Sequence, residues 1–229
     1  MKFIIIGLGH FGSSLAEKLS EIGNEVIGVD SNFQRVESLK EKITYTICMD
    51  ATNPDIVKTL PLKDTDVVII AIGEDKGANI MATAVMKNLN VKRLISRSID
   101  STHENVLSAM GVTEIANPEV ETSIRWAKKL SLMNLVDSFE LTSDFSIVEV
   151  KVPEAFVGKS LEQIGFRKNF NLVVLTTIRE QRKESLIGIN KMVKEVQGVS
   201  SPDTVLQKGE IMVVYGNNSD IKNLFRLKE

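Results

Sequence analysis

Gly7, Gly9 and Gly12 stand in the hexapeptide Gly7-Leu8-Gly9-His10-Phe11-Gly12, a G-x-G-x-x-G pattern at the start of a 229-residue chain. The chemistry this spacing serves is phosphate binding. The first glycine permits a tight turn, the second lets backbone approach a pyrophosphate, and the third lets the following helix pack closely on its strand. Free N–H groups at the helix start then face the phosphates, and the helix dipole favours their negative charge. Alone the hexapeptide is a weak signal, because glycines also punctuate ordinary turns. Here it follows an apolar strand-like run, residues 3–6, and opens a helical pattern in which Phe11, Leu15, Leu19 and Ile22 recur at three and four residues. Asp30 ends the next strand-like run, 18 positions after Gly12, where a carboxylate can accept hydrogen bonds from both hydroxyls of a ribose. The competing reading of Asp30 is a cap for the helix that starts near Asn32.

Other residues would border the same crevice. Asp50 and Ala51 follow the third strand, where the base of a nucleotide could lie, though Asp50 could equally cap the next helix. Ile72, Gly73 and Glu74 follow the fourth strand, as the switch-point rule expects. Asp30 argues against a 2′-phosphorylated ribose; Arg35, a turn further on, could in principle relieve that repulsion, but reads first as a solvated helix residue. Cys48, the only cysteine, excludes an intramolecular disulfide and reads as a buried strand thiol. The two histidines are His10, in the loop, and His103, in a helical stretch. No Cys/His cluster has metal-ligand spacing, no Ser/His/acid arrangement is evident, and the C-terminal part offers no clear acid or base for a dehydrogenase. Binding without catalysis is the expectation, with an NAD-dependent oxidoreductase as the alternative.

The elements that must position these residues alternate. Strands are expected at 25–29, 44–48, 67–72, 93–96 and 113–116, with helices at 33–42, 55–60, 77–89 and 102–110. Strands apolar on both faces and separated by helices imply a Rossmann-like, doubly wound parallel sheet, an α/β domain. Residues 119–135 read as one long helix with Val120, Ile124, Ala127 and Leu130 on a stripe, packed either on its own sheet or on a second subunit. Strands at 146–152, 172–178 and 210–215 and helices near 160–164 and 220–227 then suggest a small α+β domain. The two domains are expected at 1–135 and 136–229. Residues 181–197, a charged stretch around Leu186, Ile187, Ile189 and Met192, read as an amphipathic insert.

Composition narrows the classes further. There are 28 basic and 30 acidic side chains with no block of either sign, so a general nucleic-acid footprint is absent. The apolar start is too short for a signal core, and no run approaches the roughly 20 residues needed to span a bilayer. A soluble, cytoplasmic protein without membrane insertion is expected.

In their order along the chain, residues 7–12, Asp30, Asp50-Ala51-Thr52, Ala71-Ile72-Gly73, Asn117-Pro118-Glu119 and the later Pro202-Asp203-Thr204-Val205-Leu206 and Gly209-Glu210 resemble one family. It is the TrkA/KtrA-type cytoplasmic regulatory subunits of bacterial Trk/Ktr potassium uptake systems, in which an RCK N-terminal domain precedes a smaller RCK C-terminal (TrkA-C) domain. The resemblance implies binding of ATP or ADP, with NAD or NADH possible, and pairing through the helix after Glu119. It also implies a homo-oligomeric gating ring, expected as an octamer, beneath a membrane potassium-translocating subunit of the TrkH/KtrB type. Carried over by position, the implied ligand contacts are Gly7, Gly9, His10, Phe11, Gly12, Asp30, Ser31, Asp50, Ala51, Ile72, Gly73, Glu74, Arg97 and Glu119. Glu119 is also the implied cation ligand, reaching the terminal phosphate region of a neighbouring subunit. His10 departs from the arginine that ATP-discriminating members carry, so a weaker hold on a γ-phosphate is implied. For cyclic di-AMP, Ile164 and Arg167 fit the family's pattern but Gly165 and Val173 replace its aspartate and asparagine, and that site is not expected.

Overall fold

The computed structural model describes residues 1–131, 134–184 and 190–225 of the chain. They form two compact units, residues 1–121 and 122–229. In the first, strands β1 (Lys2–Ile6), β2 (Glu25–Asp30), β3 (Tyr45–Cys48), β4 (Val67–Ile70), β5 (Leu94–Arg97) and β6 (Glu114–Ala116) alternate with helices α1 (His10–Glu21), α2 (Phe33–Leu39), α3 (Pro54–Val57), α4 (Lys76–Asn88) and α5 (Ser101–Ala109). The sheet is parallel with order β3-β2-β1-β4-β5-β6. The chain therefore crosses from one side of β1 to the other between β3 and β4, which opens a crevice at the carboxyl end of β1.

Alternation within the apolar runs explains why they are continuous. Ile4 and Ile6 pack with Val29, Val68, Ile70, Val57 and Met86 on one face. Ile5 packs with Val26, Ile69, Ala16, Val36 and Leu39 on the other. Burying each such side chain is worth about 1.5–3 kcal/mol, so covering both faces of the central strand supplies much of this unit's driving force. Helix ends are set by short polar caps. Asn32 accepts from the Gln34 and Arg35 N–H groups, Asp75 from Ala78 N–H and Asp100 from His103 N–H.

Helix α6 (Pro118–Ser131) runs from the first unit into the second. Leu135, the expected limit of this helix, instead opens strand β7 (Leu135–Glu140). The helix buries no residue, and Ile124 and Leu130 of its apolar stripe are 48% and 78% exposed.

In the second unit β7 is followed by β8 (Phe145–Lys151), α7 (Leu161–Ile164), α8 (Phe166–Phe170), β9 (Val173–Glu184), β10 (Asn190–Val196), β11 (Ile211–Asn217) and α9 (Asn218–Phe225). The strands form an antiparallel sheet of order β10-β9-β11-β8-β7. Its core gathers Val148, Val150, Leu172, Leu206, Met212 and Val214 with Phe156 and Phe166, whose rings meet edge to face at 5.3 Å. The stretch expected as an amphipathic insert is instead the β9–β10 hairpin; Leu186, Ile187 and Ile189 lie outside the described residues.

Candidate functional site

The crevice is built around the loop of residues 7–12. Gly7 has φ +97°, and a Cβ there would lie 2.7 Å from the Ile72 amide nitrogen, so only glycine makes this turn. A Cβ on Gly12 would overlap the Gly7 carbonyl oxygen, which is how closely α1 approaches β1. Gly9 differs: a Cβ there would meet nothing within 4 Å. Packing does not require glycine at position 9, yet the space beside it is what a phosphate group needs. Gly9 also caps α1 without any side-chain acceptor, so the positive end of the helix is left for an anion. His10 is exposed and Phe11 half-buried.

Asp30 is 7% exposed and held from two sides. Leu8 N–H donates to Oδ2 at 2.6 Å and Asn32 N–H to Oδ1 at 2.8 Å. The capping role belongs to Asn32, not to Asp30. Asp30 instead ties the glycine loop to the end of β2, and each oxygen keeps lone-pair capacity for a further donor such as a ribose hydroxyl. Arg35 is not a solvated helix residue. Its Nη1 lies 3.8 Å from Asp30 Oδ2, and its Nη2 donates to both oxygens of Glu74 at 2.8 and 2.9 Å. The bond to Glu74 raises the guanidinium pKa and the same bond holds the Glu74 carboxyl below its ordinary value.

Asp50 does not cap α3, which Asn53 does by accepting from Asp55 N–H. Asp50 Oδ1 closes a turn with the N–H and hydroxyl of Thr52 at 2.9 and 2.7 Å, and these bonds lower its pKa. Ala51 is buried, whereas Ser31 is exposed. Cys48 is exposed, not a core thiol, because β3 is the edge strand and Cys48 ends it; its Sγ sits 3.6 Å from the Ser31 carbonyl oxygen.

Arg97 ends β5 with only 14% of its side chain exposed. Its guanidinium lies over the Phe11 ring at 5.4 Å and pairs with Glu119 at the start of α6. Gly73 makes room for it, since a Cβ there would come 2.7 Å from Arg97 Cζ. Glu119 is therefore an arginine partner within one chain. Among the described residues no three His, Cys, Asp or Glu side chains cluster to hold a metal.

A buried support behind this part of the site went unseen in the sequence. Asn79 on α4 donates to the carbonyls of Ile72 and Arg97 at 2.9 and 3.1 Å, while its oxygen accepts from Ser96 at 3.1 Å. Thr83 adds a 3.0 Å hydroxyl contact to Ser96. Asn79 and Thr83, four apart on the buried face of an otherwise apolar helix, were the available signal. His103, on α5, is also buried; both ring nitrogens lack a partner, and burial lowers its pKa, favouring the neutral ring. In the second unit Ile164 is in the core, Arg167 exposed, and Gly165 at φ +67° links α7 to α8.

A six-stranded parallel sheet with a glycine turn at its switch point and an acidic residue ending β2 defines a Rossmann-like nucleotide-binding class of domain, here joined to a small antiparallel module. Residues 3–118 match the TrkA-N domain and residues 145–228 the TrkA-C domain, and the chain belongs to this family. It is similar to Ktr system potassium uptake protein C of Bacillus subtilis (strain 168), 30% identical over 96% of this chain and 94% of that protein. Ktr system potassium uptake protein A of Vibrio alginolyticus is 29% identical over 97% and 95%. These relatives are potassium uptake proteins, not oxidoreductases. Among solved structures, the GsuK RCK domain superposes with a TM-score of 0.64 at 17% identity, over 99% of this chain and 47% of that one. A GsuK channel bound to NAD gives 0.62 at 16%, over 96% and 38%. The chain thus spans less than half the length of those two chains, and the likeness establishes the RCK fold. Among the described residues no helix is long and apolar enough to cross a membrane.

Proposed function

We propose that this protein is a cytoplasmic, nucleotide-sensing regulatory subunit that gates a membrane potassium uptake channel or transporter. The observation that carries the reading is near full-length similarity to Ktr potassium uptake proteins in a chain whose glycine loop leaves open space at Gly9. Residues 1–135 would bind the nucleotide and pair, and residues 136–229 would form the second domain. ATP or ADP is the proposed ligand, with NAD or NADH the alternative that the same loop and Asp30 accommodate. Asp30 and Ser31 would hold the ribose, Asp50 and Ala51 the base, and residues 7–12 the phosphates. Ile72, Gly73 and Glu74 would border the crevice, with Arg97 near the nucleotide.

The exposed stripe of α6, with Ile124 and Leu130 and the neighbouring Trp126, supports pairing of two copies through this helix. Such pairs would assemble into a ring, an octamer in the proposed form, on a pore subunit of the TrkH/KtrB type at the inner face of the membrane. Glu119 would then exchange Arg97 for the terminal phosphates, or a cation on them, in a neighbouring subunit. A ring with two shapes is biased only by a ligand's differential affinity for them. Reversing a 1:99 population takes about 5.5 kcal/mol, roughly 0.7 kcal/mol for each of eight equivalent sites.

Reconstitution with such a pore subunit in vesicles tests the reading. Potassium flux that changes when ATP replaces ADP, and only with this protein present, supports it. Flux indifferent to every adenine nucleotide refutes the sensing role.

A further inference from the structure

We propose that Arg35 is a further phosphate-binding residue of the nucleotide site, kept occupied by Glu74 until a ligand's phosphates displace that carboxylate. The inference rests on the nucleotide reading given above and adds a residue and a selection by ligand charge to it. Arg35 stands on the first turn of α2, after β2; Glu74 stands in the loop after β4. Because β1 lies between β2 and β4 in the sheet, the pair bridges the two sides of the crevice at the carboxyl end of β1, where the glycine loop turns. Asp30, 3.8 Å from Arg35 Nη1, is itself bonded to the Leu8 amide of that loop. The guanidinium is thus held beside a carboxylate that itself touches the glycine loop.

Glu74 meets Arg35 as a ligand anion would. One guanidinium nitrogen donates to both carboxylate oxygens, and phosphate oxygens can accept charge-assisted bonds from the same guanidinium, including the two-nitrogen pairing that Glu74 does not make. The carboxylate is also easily displaced. Glu74 is 76% exposed, and among the described residues its carboxylate hydrogen-bonds only to Arg35. Arg35, at 36% exposed, is the more confined partner. Exposed ion pairs are weak, so an incoming anion held also by the glycine loop can win the exchange. Each phosphate added to the ligand strengthens the competitor. Glu74 therefore sets a threshold that selects for charge: adenosine gains nothing from Arg35, and ATP gains most.

The test is calorimetric titration of the full chain with adenosine, AMP, ADP and ATP at fixed ionic strength. The proteins are wild type, Glu74→Gln, Arg35→Gln and the double variant, with ligand-free melting confirming that each is folded. Glu74→Gln is expected to tighten ATP about threefold to fivefold, the range exposed charge pairs support, with the gain shrinking through ADP and AMP to adenosine. Arg35→Gln is expected to weaken ATP more than adenosine, and adding Glu74→Gln to it should recover less than twofold, roughly the effect of one remote charge. Weaker ATP binding in Glu74→Gln overturns the proposal, as does an equal change for all four ligands or the same gain with and without Arg35. If wild type binds none of the four, this proposal fails, and the nucleotide reading fails with it only if NAD and NADH do not bind either; binding with charge-independent effects removes the Arg35 proposal alone.

Discussion

Gly9 and Gly12 should respond oppositely to the same added methyl. In Gly12→Ala the new Cβ overlaps the Gly7 carbonyl oxygen and lies 3.0 Å from its carbon, both backbone atoms that cannot swing aside. Overpacking of this kind costs about 1–3 kcal/mol, and each kcal/mol lowers Tm by about 2–4 °C in a chain of this size. In Gly9→Ala the Cβ meets nothing within 4 Å, and φ −68°, ψ −171° suits alanine. Two small terms then oppose each other. Alanine is a poorer helix cap than glycine by about 0.5–1 kcal/mol, but reduced freedom of the unfolded chain returns about 0.4–1 kcal/mol. Melting of the free protein should therefore stay within about 2 °C of wild type. Ligand binding should not survive, because the methyl enters the space a phosphate would use. Affinity for ATP or NAD should fall at least tenfold, about 1.4 kcal/mol. Differential scanning fluorimetry gives the first quantity and calorimetric titration the second. A Gly9→Ala protein that melts normally and binds as tightly as wild type would refute the phosphate-loop assignment.

Three further outcomes follow from the same geometry. Asn79→Ala strands the carbonyls of Ile72 and Arg97 and should cost about 2–3 kcal/mol in urea unfolding; a loss below 0.5 kcal/mol, about the size of an ordinary surface change, would show the network to be dispensable. Asp30→Ala removes the acceptors of the Leu8 and Asn32 N–H groups, so it should lower both Tm and nucleotide affinity; intact affinity would remove the ribose role. His103 gives a pH signature. Burial lowers its folded pKa, against Asp100, which raises it, and with Lys76, which lowers it, so the unfolded chain takes up the proton more readily. Its neutral form supports stability above the unfolded value, about 6.5, and that support is lost as pH falls below it. The carboxyl groups with lowered pKa values, such as Asp50 and Asp100, withdraw their support only at still lower pH. Between pH 7 and 5.5 wild type should therefore lose Tm faster than His103→Phe, and parallel curves would contradict the assignment.

The first unit was legible because its signals are local. Apolar runs such as residues 3–6, glycines at fixed offsets and polar caps each report a strand, a turn or a helix start within a few residues. The second unit mixed its signals. No glycine or proline between α6 and Leu135 marks the change to β7, and the charged residues of β9 and β10 hide an edge hairpin. Within the site, Asp30 and the glycines could be placed from spacing alone. The partners of Arg35 and Arg97 could not, since Glu74 is 39 positions from Arg35 and Glu119 is 22 from Arg97; only the sheet order brings them together. At Cys48 the apolar neighbours suggest burial, whereas an edge strand leaves its end open.

Binding of a nucleotide is the claim on which the rest depends, and thermal melting with ATP, ADP, NAD and NADH, each added alone, tests it most directly. A ligand bound only by the folded state stabilises by RT ln(1 + [L]/Kd), about 2.7 kcal/mol at a hundredfold excess over Kd, which is about 5–11 °C here. A shift of that size with ATP or ADP, lost in Gly9→Ala, is the predicted result. No shift with any of the four in the wild-type protein would contradict the account.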